Sequence, residues 1–263
     1  GNTRLAMYTI ITSNLLNIFL NWVFIFGNLG SEAMGATGAG YATLISRIVQ
    51  CIMLLAIFFH SPSLRCYTKE LFSRSMLSLK TMKEILRVGI PISFQMLMES
   101  SAFVVAGIMV LAFGAASVGA YQIGVNMMNV TFMIVIAIGS ATTILTSHIY
   151  GRGNFEHLRH TANAAFHMGL TWNITIATLY IALRFAIPTL FTSNEEVIRL
   201  TGSMLIFIAL FQVSDCLQAL SISILRGLQD VKVIIPIVFV SYVVINIPAG
   251  YLMAFPLGLE ANG

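Results

Sequence analysis

Ile206 to Gly227 reads IFIALFQVSDCLQALSISILRG. The run is apolar nearly throughout and is long enough to cross about 30 Å of hydrocarbon as one α-helix. In its middle stands a carboxylate, Asp215, with Gln212 three residues before it and Gln218 three after. That spacing puts all three on one side of a helix. An acid at the centre of a membrane-length helix is tolerated where it faces protein, water or a bound cation, so it marks a candidate functional site. Glu99 is a second acid of this kind, in a separate apolar run, with Gln95 one turn earlier.

Composition extends the reading to the whole chain. Of 263 residues, 57% are hydrophobic and only 9% charged, and the mean hydropathy is +0.88. A soluble domain carries about 25% charged residues. A chain this poor in charge cannot cover a water-facing surface, so it is expected to be an all-α, polytopic membrane bundle in a plasma membrane, the inner membrane if the source is bacterial. The net charge of +4 comes from scattered Lys and Arg. It is a topology signal rather than a nucleic-acid patch. Cys51, Cys66 and Cys216 lack metal spacing; Cys51 and Cys216 lie in apolar runs and read as small hydrophobes. His157 and His160 lack further ligands at metal spacing. No phosphate-binding loop is present, and Gly151–Asn154 reads as a turn between helices.

Seven runs are long enough to span: residues 7–26, 38–59, 89–113, 120–149, 162–187, 200–225 and 233–255. The connections between them alternate in charge. Residues 61–88 carry Arg65, Lys69, Arg74, Lys80, Lys83 and Arg87, and residues 150–161 carry Arg152 and Arg159. Residues 28–37 and 114–119 carry no Lys or Arg, residues 188–199 carry Glu195 and Glu196 against Arg199, and the turn after Leu225 carries Arg226 and Lys232. The positive-inside rule then places the start of the chain on the cytoplasmic side. Arg47 is a basic residue well inside a run, expected to pair with a carbonyl or to line water. Leu64, Tyr67, Leu71, Leu79, Met82 and Leu86 recur at helical spacing among the basic residues of 61–88. That pattern suits either a helix lying on the membrane surface or a plain linker. The expected division is residues 1–60, the end of an N-terminal lobe; 61–88, a cytoplasmic linker; and 89–263, a C-terminal lobe. Pro91 is expected at a helix start, and Pro236 and Pro248 are expected to bend the last run.

A repeat runs through this pattern. Gly30-Ser-Glu-Ala-Met-Gly35 resembles Gly258-Leu-Glu-Ala-Asn-Gly263 at an offset of 228 residues, and the same offset aligns Arg4 with Lys232. The first and last runs therefore correspond, and the repeat unit is six helices. An even number gives both copies one orientation, as in transporters built from parallel repeats. On this plan the chain is expected to lack four helices at its start and one at its end.

The sequence resembles the multidrug and toxic compound extrusion (MATE) transporters. The resemblance rests on Asn17 and Asn21 before Gly35-Ala-Thr-Gly-Ala-Gly40 and Ala42-Thr-Leu-Ile-Ser-Arg47, and on Gly89-Ile-Pro91 opening the run that holds Glu99. It continues through Gly119-Ala-Tyr-Gln-Ile123 with Asn126, Tyr150-Gly-Arg-Gly-Asn154, and Asp215 to Gln218 leading to Arg226-Gly227. The resemblance implies a two-lobe, twelve-helix transporter, of which this chain would be helices five to eleven. It also implies antiport, coupled to Na⁺ or H⁺, that exports amphipathic or cationic compounds by alternating access. Glu99 and Asp215 occupy the positions of the C-terminal-lobe acids that form the cation site in one branch of the family.

The residues themselves fit a cation site. Glu99 is about ten residues into its run, roughly 15 Å deep at 1.5 Å per residue, and Asp215 is similarly deep, near the midplane where transporters place coupling ions. Oxygen ligation by the two carboxylates suits Na⁺, and no other metal or cofactor is implied. Gln95, Asn126, Gln212, Gln218 and Tyr242 are candidate polar neighbours, with hydrogen-bonding glue between helices as the alternative role of Asn126 and Tyr242. The expected partners are small amphipathic or cationic molecules and the lipid bilayer, not nucleic acid, with a monomer as the full-length form. Two other functions compete. A flippase for lipid-linked glycans would need a basic cavity for its pyrophosphate. An intramembrane aspartyl protease, the enzyme alternative, would need a pair of carboxyls that share a proton.

Overall fold

The computed structural model describes residues 3–30, 32–60 and 78–256. Seven membrane-length helices account for nearly all of them: α1 (Thr3–Phe26), α2 (Ala36–His60), α3 (Leu79–Val110), α4 (Ala115–Gly151), α5 (Phe155–Ala182), α6 (Glu195–Gly227) and α7 (Ile234–Ala254). The all-α reading and the seven expected runs are both present. Six helices are apolar enough to cross a membrane on composition alone; α5, which carries His157, His160, His167 and Asn173, falls short of that. The corresponding run was expected to reach Ile187. It ends instead at Ala182, and Arg184 in the turn beyond stacks 4.8 Å from the centre of the Phe185 ring.

Two compact units divide the chain at Met82 and Lys83, within the stretch expected to link the lobes. Residues 61–77 of that stretch, with Cys66, lie outside the described residues, as does the second copy of the Gly-x-Glu-Ala-x-Gly repeat. Leu79, Met82 and Leu86 do not belong to a separate surface helix, because they form the first turns of the continuous α3. Pro91 likewise lies inside α3 rather than at its start. Proline interrupts one backbone hydrogen bond, and a helix flanked by others in a membrane accommodates this.

The first unit is a helical hairpin. Ser13 Oγ donates to the Ser46 carbonyl at 3.0 Å. Asn21 Nδ2 donates to Asn17 Oδ1 at 3.0 Å, and Asn17 Nδ2 reaches Thr43 Oγ1 at 3.5 Å. This is the glue role of intramembrane amides. Arg47 pairs with a side-chain carbonyl, as expected: its guanidinium donates to Gln50 Oε1 one turn on, at 2.9 Å. Cys51 faces outward rather than into a core.

In the second unit α6 is the most buried span, packed against α4 on one side and α5 on another. Small residues let the backbones approach. A Cβ on Gly139 would meet Ser223, and one on Gly169 would come 2.6 Å from Leu220 Cδ1 and 2.9 Å from Cys216 Sγ. Val135, Cys216 and Leu220 fill the centre with no exposure. Asn194 caps α6, its side chain accepting from the Glu196 and Val197 amides. Glu195 and Glu196 therefore sit in the first turn, where the helix dipole favours them. Gly153 supplies the positive φ of the turn between α4 and α5. Helix α3 stands off from the α4–α5–α6 core and meets it through side chains: Tyr121 donates to the Phe103 carbonyl at 2.9 Å, and Ala102 packs with Ile222 and Tyr242. In α7 the expected distortion takes the form of a π-helical stretch, Val240–Asn246, just ahead of Pro248. The wider turn absorbs the missing proline N–H.

The α4–α6 crossing yields a test. A Cβ on Gly227 would strike the Thr146 hydroxyl and lie 2.9 Å from the Thr143 carbonyl oxygen, whereas one on Gly151 would meet nothing within 4 Å. Gly227→Val should destabilise the detergent-solubilised protein by about 2 kcal/mol, read as a lowered unfolding temperature. Gly151→Ala should leave that temperature unchanged.

Candidate functional site

The space left between α3 and the α4–α6 face is a cavity of about 370 Å³. Gln95, Glu99 and Phe103 line it from α3, Met128, Asn129 and Thr143 from α4, and Asp215, Gln218 and Arg226 from α6. The two acids picked out by sequence thus share one cavity. Spacing explains why: Glu99 follows Gln95 by one turn on α3, while Asp215, Gln218, Ile222 and Arg226 run down one stripe of α6.

Asp215 is 7% exposed and accepts no hydrogen bond from any described residue. Glu99 is half-buried and accepts from Gln95 Nε2 at 3.4 Å. The carbonyl end of the same amide accepts from Arg226 Nη2 at 2.9 Å. Only one orientation of the amide satisfies both neighbours, because a guanidinium has no acceptor and a carboxylate no donor. Gln95, itself 3% exposed, therefore stands as a polar spacer between a cation and an anion. Asp215 and Arg226 both lie within electrostatic reach of Glu99. Among the described residues neither acid is joined to a basic side chain by a direct ion pair.

Other candidates have other places. Gln218 Nε2 donates to the Tyr242 hydroxyl at 3.1 Å, tying α6 to α7. Tyr242, 5% exposed, lines a second cavity of about 230 Å³ with Phe103, Met128, Met204, Phe211 and Asn246. That cavity is apolar, and Phe103 and Met128 belong to the walls of both. Gln212 does not reach the polar cavity. It is 2% exposed and donates to Thr131 Oγ1 and to the Met128 carbonyl. The 120° spread of positions 212 to 218 turns it into the α4 interface. Asn126 lines neither cavity and faces outward; Asn129, one turn on, takes the place on the polar wall.

Arg226 is the residue that sequence reading passed over. It was counted with the positive charges of a loop, but α6 runs through Gly227, so its side chain lies along the helix and turns back into the cavity. The available signal was its spacing of eight residues from Gln218 and eleven from Asp215 on one stripe. Its Nε is buried without a hydrogen-bond partner among the described residues. The ionisable lining of this cavity is thus two acids and one arginine. That is the opposite of what a lipid pyrophosphate would require.

Residues 91–252 match the MatE family model. The chain is 32% identical over 252 residues to Multidrug resistance protein NorM of Vibrio vulnificus, covering 95% of this chain and 55% of that protein. It is 30% identical over 263 residues to Probable multidrug resistance protein NorM of Bacillus subtilis, covering 100% of this chain and 58% of that one. The chain spans about half the length of the curated relatives it matches. Among solved structures it superposes on a variant of the Vibrio cholerae MATE transporter VcmN with a TM-score of 0.84 at 20% identity, covering 100% of this chain and 58% of that one. A eukaryotic MATE transporter gives 0.83 at 21% identity, covering 97% and 56%. At those identities the structures show a shared fold.

Thr131 holds the wall beneath the cavity: its hydroxyl accepts from Gln212, and its carbonyl accepts from Trp172 Nε1 at 3.3 Å. Thr131→Val should leave the Gln212 amide without its side-chain acceptor and destabilise the protein by about 1–3 kcal/mol. A thermal-unfolding series that includes Gln212→Leu checks this, because the double variant should be no less stable than Thr131→Val alone.

Proposed function

This chain belongs to the MatE family, transporters rather than enzymes, and from that premise we propose that its polar cavity holds the coupling cation of a drug-exporting antiporter. The multi-pass helical architecture and the family fix the coarse reading. The single observation that carries the finer one is the charge in the cavity. With Glu99 and Asp215 ionised and Arg226 protonated, the three ionisable groups lining the polar cavity sum to one negative charge. One Na⁺ or one H⁺ balances it.

The donor set supports this. Two carboxylates with the oxygens of Gln218 and Asn129 form a hard-oxygen lining, the kind that alkali and alkaline-earth cations take. Asp215 sits buried on a rigid central helix without a hydrogen-bond donor among the described residues. In an environment so poor in water, an ionised carboxylate needs a cation or a proton close by. Na⁺ or H⁺ enters here as cargo and not as a fixed component. In the proposed cycle it occupies the cavity in one facing state and leaves in the other, and the drug exploits the alternation. The exported compounds are amphipathic or cationic, taken up from the bilayer or the cytoplasm, and the working unit is the full-length monomer with both lobes.

Glu99→Gln and Asp215→Asn in the full-length protein should each reduce cation-dependent efflux of ethidium from cells to the level of the empty host. Neither should lower the unfolding temperature, because each replaces a carboxylate with an isosteric amide. Wild-type efflux in both variants would sink the proposal.

A further inference from the structure

The cavity already contains one cation. Arg226 sits in the last turn of α6 and its guanidinium reaches α3, yet it bonds neither acid. Its Nη2 is held at 2.9 Å by the Gln95 carbonyl oxygen, and its Nε is buried with no partner among the described residues. A guanidinium is charged at any accessible pH and has five donors to place. A nearby carboxylate would satisfy it better than a neutral amide. Two such carboxylates line the same cavity. What keeps Arg226 apart from Glu99 is Gln95, whose two ends face these two charges.

Taking the cavity as the cation site proposed above, we propose that Arg226 is a built-in counter-cation, held off Glu99 by Gln95, and that this separation sets how tightly the coupling cation is bound. Arg226 weakens the site electrostatically, so that a cation bound on one side of the membrane can leave on the other. Gln95 is a positioning residue that stops the arginine from occupying the site outright. The charged and titratable groups facing the cavity are Glu99 from α3, Asp215 and Arg226 from α6, and Tyr242 from α7, reached through Gln218; α4 contributes none.

The two roles have opposite signs, which separates them from simple structural damage. Deleting the arginine charge should tighten cation binding; deleting the spacer should let Arg226 close on Glu99 and weaken it. The experiment uses purified full-length protein in detergent, with equilibrium binding of radioactive sodium. Drug-induced proton release in weakly buffered solution serves as the second probe, for a proton-selective site. Arg226→Gln should lower the half-saturating Na⁺ concentration about tenfold, and Gln95→Leu should raise it about tenfold, as expected for one unit charge moved by a few ångströms at an effective dielectric constant near 20. In the proton assay the midpoint should move about one pH unit upward and about one downward, respectively. Arg226→Lys should stay within about twofold of wild type.

If Arg226→Gln gives no folded protein, Arg226→Met replaces it. If that also fails to fold, Gln95→Leu alone decides: weaker binding supports the assignment, and unchanged or tighter binding overturns it. Variants that leave cation affinity unmoved, or move it in the same direction, overturn the role of Arg226 while the cation site stands. Wild-type protein that binds neither Na⁺ nor a releasable proton overturns the cation site itself, and this inference with it.

Discussion

A carboxylate held at 7% exposure on the most buried helix of the second unit is the constraint around which the rest is arranged. In lipid, ionised Asp215 would be prohibitive; in water, it would be unremarkable. The fold gives it neither. Glycines on α4, α5 and α6 bring the backbones together, and Val135, Cys216 and Leu220 fill the space between them. Toward α3 there is a gap, because α3 stands away from the core and touches it through a few side chains. Tight packing and an opening both follow from where side chains of different size fall: small residues line the α4–α5–α6 contacts, while Gln95, Glu99 and Phe103 line α3 along the cavity.

Much of this was legible in the sequence. Apolar length and sparse charge dictate an all-helical membrane bundle, because no other open structure satisfies its backbone in hydrocarbon. The two acids stand out for the same reason: a charge within such a run conflicts with its surroundings, and the conflict is visible without coordinates. Gln95 and Gln218 follow by helical spacing from the acids.

What was not legible depends on where helices end and which way they turn. Arg226 read as a loop charge because an apolar run stops where hydropathy stops, whereas the helix continues to Gly227. Pro91 read as a helix start for the same reason, since the polar turns from Leu79 onward carry α3 well ahead of its apolar part. Gln212 and Asn126 were misplaced by rotation. One turn of error on α4 exchanges Asn126 for Asn129, and the 3.6-residue period takes Gln212 out of the cavity and into the α4 contact. Periodicity places a residue on a stripe, but only packing tells which neighbour that stripe meets.

The polar and apolar cavities meet at a common wall formed by Phe103 and Met128. Phe103 is fixed on one side by the Tyr121 hydroxyl on its carbonyl and packs edge-on against Phe211 at 6.4 Å. Met128 is unbranched and adaptable, and its carbonyl is taken by Gln212. A change in charge on Glu99 alters the pull on Arg226, and through Gln95 on α3, a helix with little backbone packing against the α4–α6 pair. Phe103 lies one turn beyond Glu99 on that helix. A shift of α3 against the rigid α4–α6 pair therefore moves the shared wall. In the proposed transporter this couples cation occupancy to the apolar cavity through a side-chain contact one helical turn from the charge, without requiring the tightly packed core to rearrange.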